Sequence, residues 1–242
     1  MCTLVIAKNM PESKWPLIAA FVRDEKTDRK YLSPGRHWEN NQGIYAGIDV
    51  ASQGTWLGTS NSGLFAALLN QCDTLHYDGG PSRGTIVLQA LKSETIDDMF
   101  ELVNNLNFQD YRGFNLIFGN IEKMYFATNI GRREIGIVPD GISMITAFGM
   151  NCNDCQRTKL FLSRFRKAKV PAPENNDWNE WLELLAEPTT PQNMFDGITI
   201  ISDEIASVST ELLALDVDTN NNIHDFFPGS PRDWRRNRSE EI

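Results

Sequence analysis

The chain has 242 residues and a formal net charge of −9, because 32 acidic side chains outnumber 23 basic ones. Hydrophobic residues make up 41% and charged residues 23% of the chain, a composition that excludes a disordered protein. The acidic balance argues against a nucleic-acid partner, and four cysteines are too few for a disulfide scaffold. We expect a cytoplasmic protein without a secretory signal or an integral membrane segment, since the apolar runs are far shorter than a membrane span.

The first half of the chain predicts a meander of β-strands, in which short apolar segments alternate with turn sequences. The strands are predicted over residues 3–7, 15–22, 44–49, 55–59 and 64–70. The first two form a hairpin about residues 11–13. Antiparallel pairing about that loop sets Cys2 opposite residues 21–23.

The second half mixes helices with a second group of strands. Helical spacing of apolar residues predicts helices over residues 83–91, 96–106, 155–167 and 178–185, with Asp177 capping the last one. Further strands are predicted over residues 114–118, 123–128, 134–138, 142–147, 198–201 and 211–216. Because strands and helices are grouped rather than strictly alternating, the fold class is α+β. We expect one domain over residues 1–227 and a polar tail over residues 228–242.

Cys2 is the most informative residue for function. Removal of the initiator methionine would place a thiol and a free α-amine on one residue. Their ordinary pKa values, about 8.5 and about 7.7–8.0, let one group activate the other near neutral pH. That is the chemistry of an N-terminal nucleophile. The alternative is a cysteine buried in a strand for packing, since free cysteine favours protein interiors.

Arg23 and Asp24 follow the second predicted strand, where antiparallel pairing brings them beside Cys2. An arginine in that position lowers the pKa of a thiol, and an aspartate can hold the α-amine. The alternative is an ordinary cluster of charges at a strand end.

Six blocks of sequence occur in an order that resembles the transport and Golgi organisation 2 family, whose members are also called NRDE proteins after an Asn-Arg-Asp-Glu motif. The resemblance covers residues 1–150. The blocks are Met1-Cys2-Thr3, Ala19-Ala20-Phe21-Val22-Arg23-Asp24-Glu25, Gly54-Thr55-Trp56-Leu57-Gly58, Ala66-Ala67-Leu68-Leu69-Asn70, Ser82-Arg83-Gly84 and Tyr111-Arg112-Gly113-Phe114-Asn115-Leu116-Ile117.

The resemblance implies a four-layer αββα sandwich of the N-terminal nucleophile hydrolase type. This fold is similar to that of the cholylglycine hydrolase and acid ceramidase group, which cleave amides with an N-terminal cysteine. For this chain the resemblance implies a hydrolase of a small-molecule, non-peptide amide that needs no cofactor. The alternatives are a non-catalytic binder or carrier of haem, acyl-CoA or another lipid, and an interaction protein without activity.

Three positions depart from the family pattern. Val22 and Met144 stand where the family has asparagine, and Ser207 stands where it has arginine. Because a lost oxyanion donor can cost about 10²–10³ in rate, these departures predict weak turnover. Asn70 and Asn115 remain as candidate amide donors to an oxyanion, and the alternative for each is a structural hydrogen bond in or after an apolar strand.

Cys152 and Cys155 form a single C-x-x-C motif at the start of a predicted helix. A structural zinc site needs a second ligand pair, so we predict a reduced pair without a metal. The helix that follows is basic, and its charges either receive an anionic group of a ligand or form a solvated face. Its basic residues are Arg157, Lys159, Arg164, Arg166, Lys167 and Lys169.

The sequence therefore predicts a division of roles at one site. Cys2 attacks the amide, and its own α-amine acts as the base. Arg23 and Asp24 position and tune the thiol, and Asn115 or Asn70 stabilises the oxyanion.

Overall fold

The computed structural model describes residues 2–71 and 80–234 of the chain. These residues form two compact units. The first comprises the described parts of Met1–Asp28 and Pro139–Ile242, and the second is Arg29–Val138. Within the described ranges, no helix has both the length and the apolar character needed to cross a membrane.

The described residues include thirteen strands and four α-helices of defined bounds, and residues 231–234 are also helical. The strands are β1 (Thr3–Lys8), β2 (Leu17–Lys26), β3 (Tyr31–Gly35), β4 (Ile44–Asp49), β5 (Leu57–Ser60), β6 (Phe65–Asn70), β7 (Phe114–Gly119), β8 (Met124–Thr128), β9 (Glu134–Ile137), β10 (Gly141–Thr146), β11 (Gly149–Met150), β12 (Ile205–Leu215) and β13 (Ile223–Phe227). The helices are α1 (Gly84–Leu91), α2 (Ile96–Asn105), α3 (Gln156–Phe165) and α4 (Asn179–Leu185).

The first unit is built on an antiparallel sheet of six strands in the order β11-β10-β1-β2-β12-β13. β1 and β2 are its central pair and are buried along almost their whole length, and the first six residues of β2 are apolar. Side chains alternate between the two faces of a sheet. One face packs against α3 and α4, where Val5 and Ala20 share an apolar core with Phe165 and Trp181.

The second unit is built on an antiparallel sheet of seven strands in the order β3-β4-β5-β6-β7-β8-β9. α1 and α2 supply the helical side of its core, in which Ile86 packs with Phe114 and Leu116. Thr95 caps α2, because its Oγ1 accepts a hydrogen bond from the main-chain N of Asp98 at 3.1 Å. This bond satisfies one of the amide groups that a helix start leaves without a partner.

The hairpin formed by β1 and β2 has the register that the sequence predicts. Thr3 pairs with Val22 and Lys8 pairs with Leu17. Cys2 immediately precedes β1, and continuation of this register by one residue places Arg23 opposite Cys2. The sequence prediction for this part of the chain is confirmed.

Other boundaries differ from the sequence prediction. The predicted strand over residues 198–201 is wrong: the main-chain N atoms of Ile198 and Thr199 donate to the carbonyl of Glu187, and the segment joins no sheet. Trp178 directly precedes α4 and makes no side-chain capping bond, whereas Asp177, one residue earlier, accepts a hydrogen bond through Oδ1 from the main-chain N of Asn179 at 3.3 Å, as expected for the predicted cap. β3, β11 and β13 were not predicted.

The chain after β13 folds back onto the first unit. Trp234 is buried and stacks on Phe227, with ring centroids 5.5 Å apart. Residues 228–234 are therefore packed rather than a polar tail. The rest of the predicted tail lies outside the described residues, and the single domain over residues 1–227 stays a prediction.

Candidate functional site

The Cys2 thiol lies at one end of the central strand pair of the first unit. Cys2 is buried, with 8% of its surface exposed. Its Sγ donates to the main-chain carbonyl oxygen of Asp24 at 3.6 Å. The register of the hairpin places Arg23 opposite it. The structure therefore brings together Cys2, Arg23 and Asp24, the three residues that the sequence predicts to meet.

The side chains of these residues divide between the two faces of the sheet. Thr3 faces α3, because its Oγ1 accepts a hydrogen bond from Nη1 of Arg157 at 2.8 Å. By alternation, Cys2 and Arg23 share the other face, whereas the Asp24 carboxylate lies on the α3 side. The contact of Asp24 with the thiol consequently runs through its main chain.

The environment of Cys2 holds the thiol in its neutral form. Burial raises the pKa of the Cys2 thiol above its ordinary value, and the Asp24 charge raises it further. The amino terminus and the Arg23 guanidinium lower the pKa but do not reverse the shift. A nucleophilic thiolate at neutral pH therefore requires an additional base or cation beside the sulfur.

Arg23 supplies a buried positive charge on the face that carries the thiol. It is 3% exposed, and its Nη2 lies 3.7 Å from Oε2 of Glu25. Ser209 of β12 pairs with Arg23 of β2 and is also buried. This side of the sheet end can therefore bind the negative charge that develops on a substrate during attack by the thiol.

The Asp24 carboxylate is held by two residues that are distant in sequence. Ser207 donates from Oγ to Oδ1 of Asp24 at 2.5 Å, and the same Oγ accepts from the main-chain N of Ile200 at 2.9 Å. Nη1 of Arg157 lies 3.5 Å from Oδ2. A register shift in β12 at Val208 sets Ser207 opposite Asp24.

The sequence interpretation missed both of these contacts. The sequence pattern marks Ser207 only as the loss of an arginine and places Arg157 among the basic residues of its helix. The available signal for burial of Arg157 is its spacing, because the apolar residues Phe161 and Phe165 follow it at four and eight positions and lie on the same face of the helix.

The basic helix is not a uniform patch. Arg157 is fully buried, whereas Arg164 is partly exposed and forms an ion pair with Glu187. Lys169, just beyond α3, pairs with Asp177 at 2.8 Å. Neither expectation for this helix, an anion site or a solvated face, accounts for the burial of Arg157.

Asn70 and Asn115 lie in the second unit, on neighbouring strands but on opposite faces of the sheet. Asn115 is fully buried and pairs with Leu69 and Thr128. Asn70 is exposed and pairs with Phe114, whose side chain belongs to the core shared with the helices. Their proposed role as oxyanion donors stays a prediction.

The other two departures from the family pattern lie in the core of the first unit. Val22 and Met144 are both fully buried and pack in the cluster that includes α3 and α4. Both side chains therefore lie on the face of the sheet opposite to the Cys2 thiol. Apolar residues at these two positions contribute to packing.

Cys152 and Cys155 are free thiols in this structure, the first partly exposed and the second buried. Within residues 2–71 and 80–234, no cluster of three or more His, Cys, Asp or Glu residues has the arrangement of a metal site. Cys72 and His76 lie outside these ranges. The reduced, metal-free state of the pair stays a prediction.

Comparison with known proteins identifies a family. The family model described as Transport and Golgi organisation 2 matches residues 1–221. A bovine (Bos taurus) protein named Transport and Golgi organization protein 2 homolog is 31% identical over 146 residues. That alignment takes in 54% of this chain and 51% of the bovine protein, so the matched segment spans about half the length of the relative.

Solved structures with a similar fold include an amidase and a bile acid hydrolase by name. The Caenorhabditis elegans N-acylethanolamine-hydrolyzing acid amidase ortholog aligns with a TM-score of 0.58 and 11% identity, over 91% of this chain and 96% of the other. A variant of the conjugated bile acid hydrolase of Clostridium perfringens aligns with a TM-score of 0.52 and 11% identity, over 94% and 89%. The predicted α+β fold of the N-terminal nucleophile hydrolase type is confirmed.

Proposed function

Since the chain belongs to the Transport and Golgi organisation 2 family, we propose that it hydrolyses a small-molecule, non-peptide amide with Cys2 as an N-terminal nucleophile. One observation carries the proposal: the Cys2 thiol lies at the end of the central strand pair, beside Arg23 and the carbonyl of Asp24. The names of the two similar structures support an acyl amide as the substrate class.

The proposed reaction begins with removal of Met1, which frees the α-amine of Cys2. The amine takes the thiol proton, and the sulfur attacks the amide carbonyl to form a tetrahedral oxyanion. The oxyanion collapses, the C–N bond breaks, and the leaving amine receives the proton from the α-amine. A water molecule, activated by the same amine, then hydrolyses the thioester to release the acid. Arg23 stabilises negative charge at this end of the sheet.

The α-amine explains how a thiol in this environment could react. Burial raises the pKa of the Cys2 thiol in the chain as described, so the thiolate is scarce at neutral pH. An amine on the same residue, with an ordinary pKa of about 7.7–8.0, accepts the proton without a second side chain. Processing of Met1 is therefore the step that would activate the proposed enzyme.

A second function is favoured by the same neutral thiol. A buried S–H group that donates to a carbonyl is a poor nucleophile, which suits a binder or carrier of haem, acyl-CoA or another lipid. In a carrier, Cys2 would contribute packing and no chemistry.

Hydrolysis assays on chain from which Met1 has been removed distinguish these functions. N-acyl amino acids and bile-acid-like amides are the substrates, and amine release is the signal. Cys2→Ala should abolish release, whereas Cys152→Ala, which removes a partly exposed thiol, should retain it. Turnover that survives in Cys2→Ala would contradict the proposed mechanism. Absence of turnover, with binding of haem or acyl-CoA within a few fold of wild type in Cys2→Ala, would favour the carrier.

A further inference from the structure

Arg157 is a fully buried cation that contacts both strands holding the Cys2 thiol. It lies in the first turn of α3 with no exposed surface. Its Nη1 donates to Oγ1 of Thr3 at 2.8 Å and lies 3.5 Å from Oδ2 of Asp24. Its Nη2 donates to the main-chain carbonyl of Met194 at 2.8 Å.

The placement of these contacts relates them to the thiol. Thr3 directly follows Cys2 and begins β1, and Asp24 accepts the Cys2 S–H through its main-chain oxygen. One planar guanidinium therefore joins the start of β1 to the last residues of β2, on the face of the sheet opposite to the Cys2 side chain. Burial of a guanidinium is costly unless its hydrogen bonds and charge are satisfied, and these three contacts contribute to that compensation through Nη1 and Nη2.

We propose that Arg157 is a positioning residue for the Cys2 nucleophile, acting through Thr3 and the Asp24 carboxylate. This inference rests on the proposed role of Cys2. Arg157 touches neither the thiol nor, in the proposed reaction, the substrate. It holds the main-chain segments at Thr3 and Asp24, which determine the position of the Cys2 sulfur, and its charge balances the Asp24 carboxylate.

The charge balance has a measurable consequence. The charged groups of the first unit near the thiol include Arg23, Asp24 and the amino terminus, with Glu25 beside Arg23 and Arg157 beside Asp24. Asp24 raises the pKa of the Cys2 thiol. Loss of the positive charge that faces Asp24 strengthens this effect and moves ionisation of the thiol to higher pH.

The test is the pH profile of Cys2 alkylation by iodoacetamide, followed by mass spectrometry of the N-terminal peptide from Met1-processed, full-length protein. In Arg157→Met we expect the midpoint to rise by about half a pH unit or more. Arg164→Met, on the exposed side of the same helix, is the matched control and should leave the midpoint unchanged. Adding Asp24→Asn to Arg157→Met should return the midpoint toward the wild-type value.

A merely structural role for Arg157 gives the opposite sign. If its removal only loosened the sheet end, water would reach the sulfur, the burial effect would fade, and the midpoint would fall. A midpoint that falls, stays unchanged, or rises equally in Arg164→Met would overturn the proposal. Should Arg157→Met fail to fold, Arg157→Gln is measured under the same criteria, because it is neutral yet can still hydrogen-bond to Thr3.

The outcome is independent of turnover. A raised midpoint in a protein that hydrolyses none of the tested amides would uphold the role of Arg157 and reject only the hydrolase. Turnover that depends on Cys2, together with an alkylation midpoint that Arg157→Met leaves unchanged, would support the hydrolase and reject the role of Arg157.

Discussion

Asp24 uses its main chain and its side chain on different faces of the same sheet. The main-chain carbonyl accepts a hydrogen bond from the Cys2 thiol. The carboxylate lies on the α3 side, where it contacts Ser207 and Arg157. A residue at a strand end can therefore serve the nucleophile and the helical layer together. Substitution of Asp24 removes its carboxylate but keeps its main-chain carbonyl, so the contacts that are lost directly are those with Ser207 and Arg157.

Ser207→Ala tests how much the buried carboxylate depends on its hydroxyl partner. The substitution removes the bond to Asp24 and the acceptor for the main-chain N of Ile200. We expect the free energy of unfolding to fall by about 1–3 kcal/mol, since buried polar groups lose partners that water cannot replace. Urea denaturation measures the change. Ser163→Ala, at an exposed position of α3, should change stability by no more than about 0.5 kcal/mol.

The meeting of Cys2 with Arg23 could be predicted from the sequence, because a short hairpin fixes its own register. The contacts of Asp24 could not. Ser207 is 183 residues away in sequence, and its position depends on a register shift in a strand whose length was underestimated. Arg157 reaches the site from a helix whose charge pattern indicates solvent rather than burial.

At the scale of elements, the strands and helices with a strong apolar period were predictable, and three of the four strands at sheet edges, β3, β11 and β13, were not. β3 contains Pro34 and Gly35, and its residues are half-buried or exposed. β13 is half-buried throughout and includes His224 and Asp225, so no alternation marks it. Edge strands have a partner on one side only, and their sequences consequently carry a weaker pattern.

Hydrogen bonds to one charged carboxylate stabilise the turn after β4. Asp49 ends β4, accepts two hydrogen bonds from Arg29 at 2.8 and 2.9 Å, and accepts two from Ser52 at 3.0 Å. Burial raises the pKa of the Asp49 carboxyl, but the bonds from Arg29 and Ser52 outweigh burial and leave it below its ordinary value. The folded state therefore binds this proton more weakly than the unfolded state does.

A lowered pKa makes the contribution of Asp49 to stability depend on pH. The contribution is complete above the unfolded pKa of about 3.9 and is lost as pH falls through the folded value. The difference in free energy of unfolding between wild type and Asp49→Asn should be largest near pH 6 and should shrink below about pH 4. Urea denaturation across this range measures it. The highly exposed Asp97 offers a control, and a similar pH trend in Asp97→Asn would contradict the assignment.

At the scale of the whole molecule, the α+β class could be predicted from the grouping of strands and helices, but the specific fold could not. The N-terminal nucleophile hydrolase type followed from the resemblance of six blocks to a family, because periodicity does not define strand order. Two sheets of six and seven strands also required β3, β11 and β13, which the pattern did not reveal. The similar structures confirm the fold, while activity remains the proposal.

The central claim is that the free α-amine of Cys2 makes its thiol a nucleophile. The most direct test compares initial rates of amine release from an N-acyl substrate by two forms of the same chain, one with Met1 removed and one with an amino-terminal extension that keeps Cys2 internal. We predict that the processed form turns over and that the extended form is slower by at least about 10²-fold, the usual contribution of a general base. Equal rates in the two forms, or turnover in neither, would contradict the account.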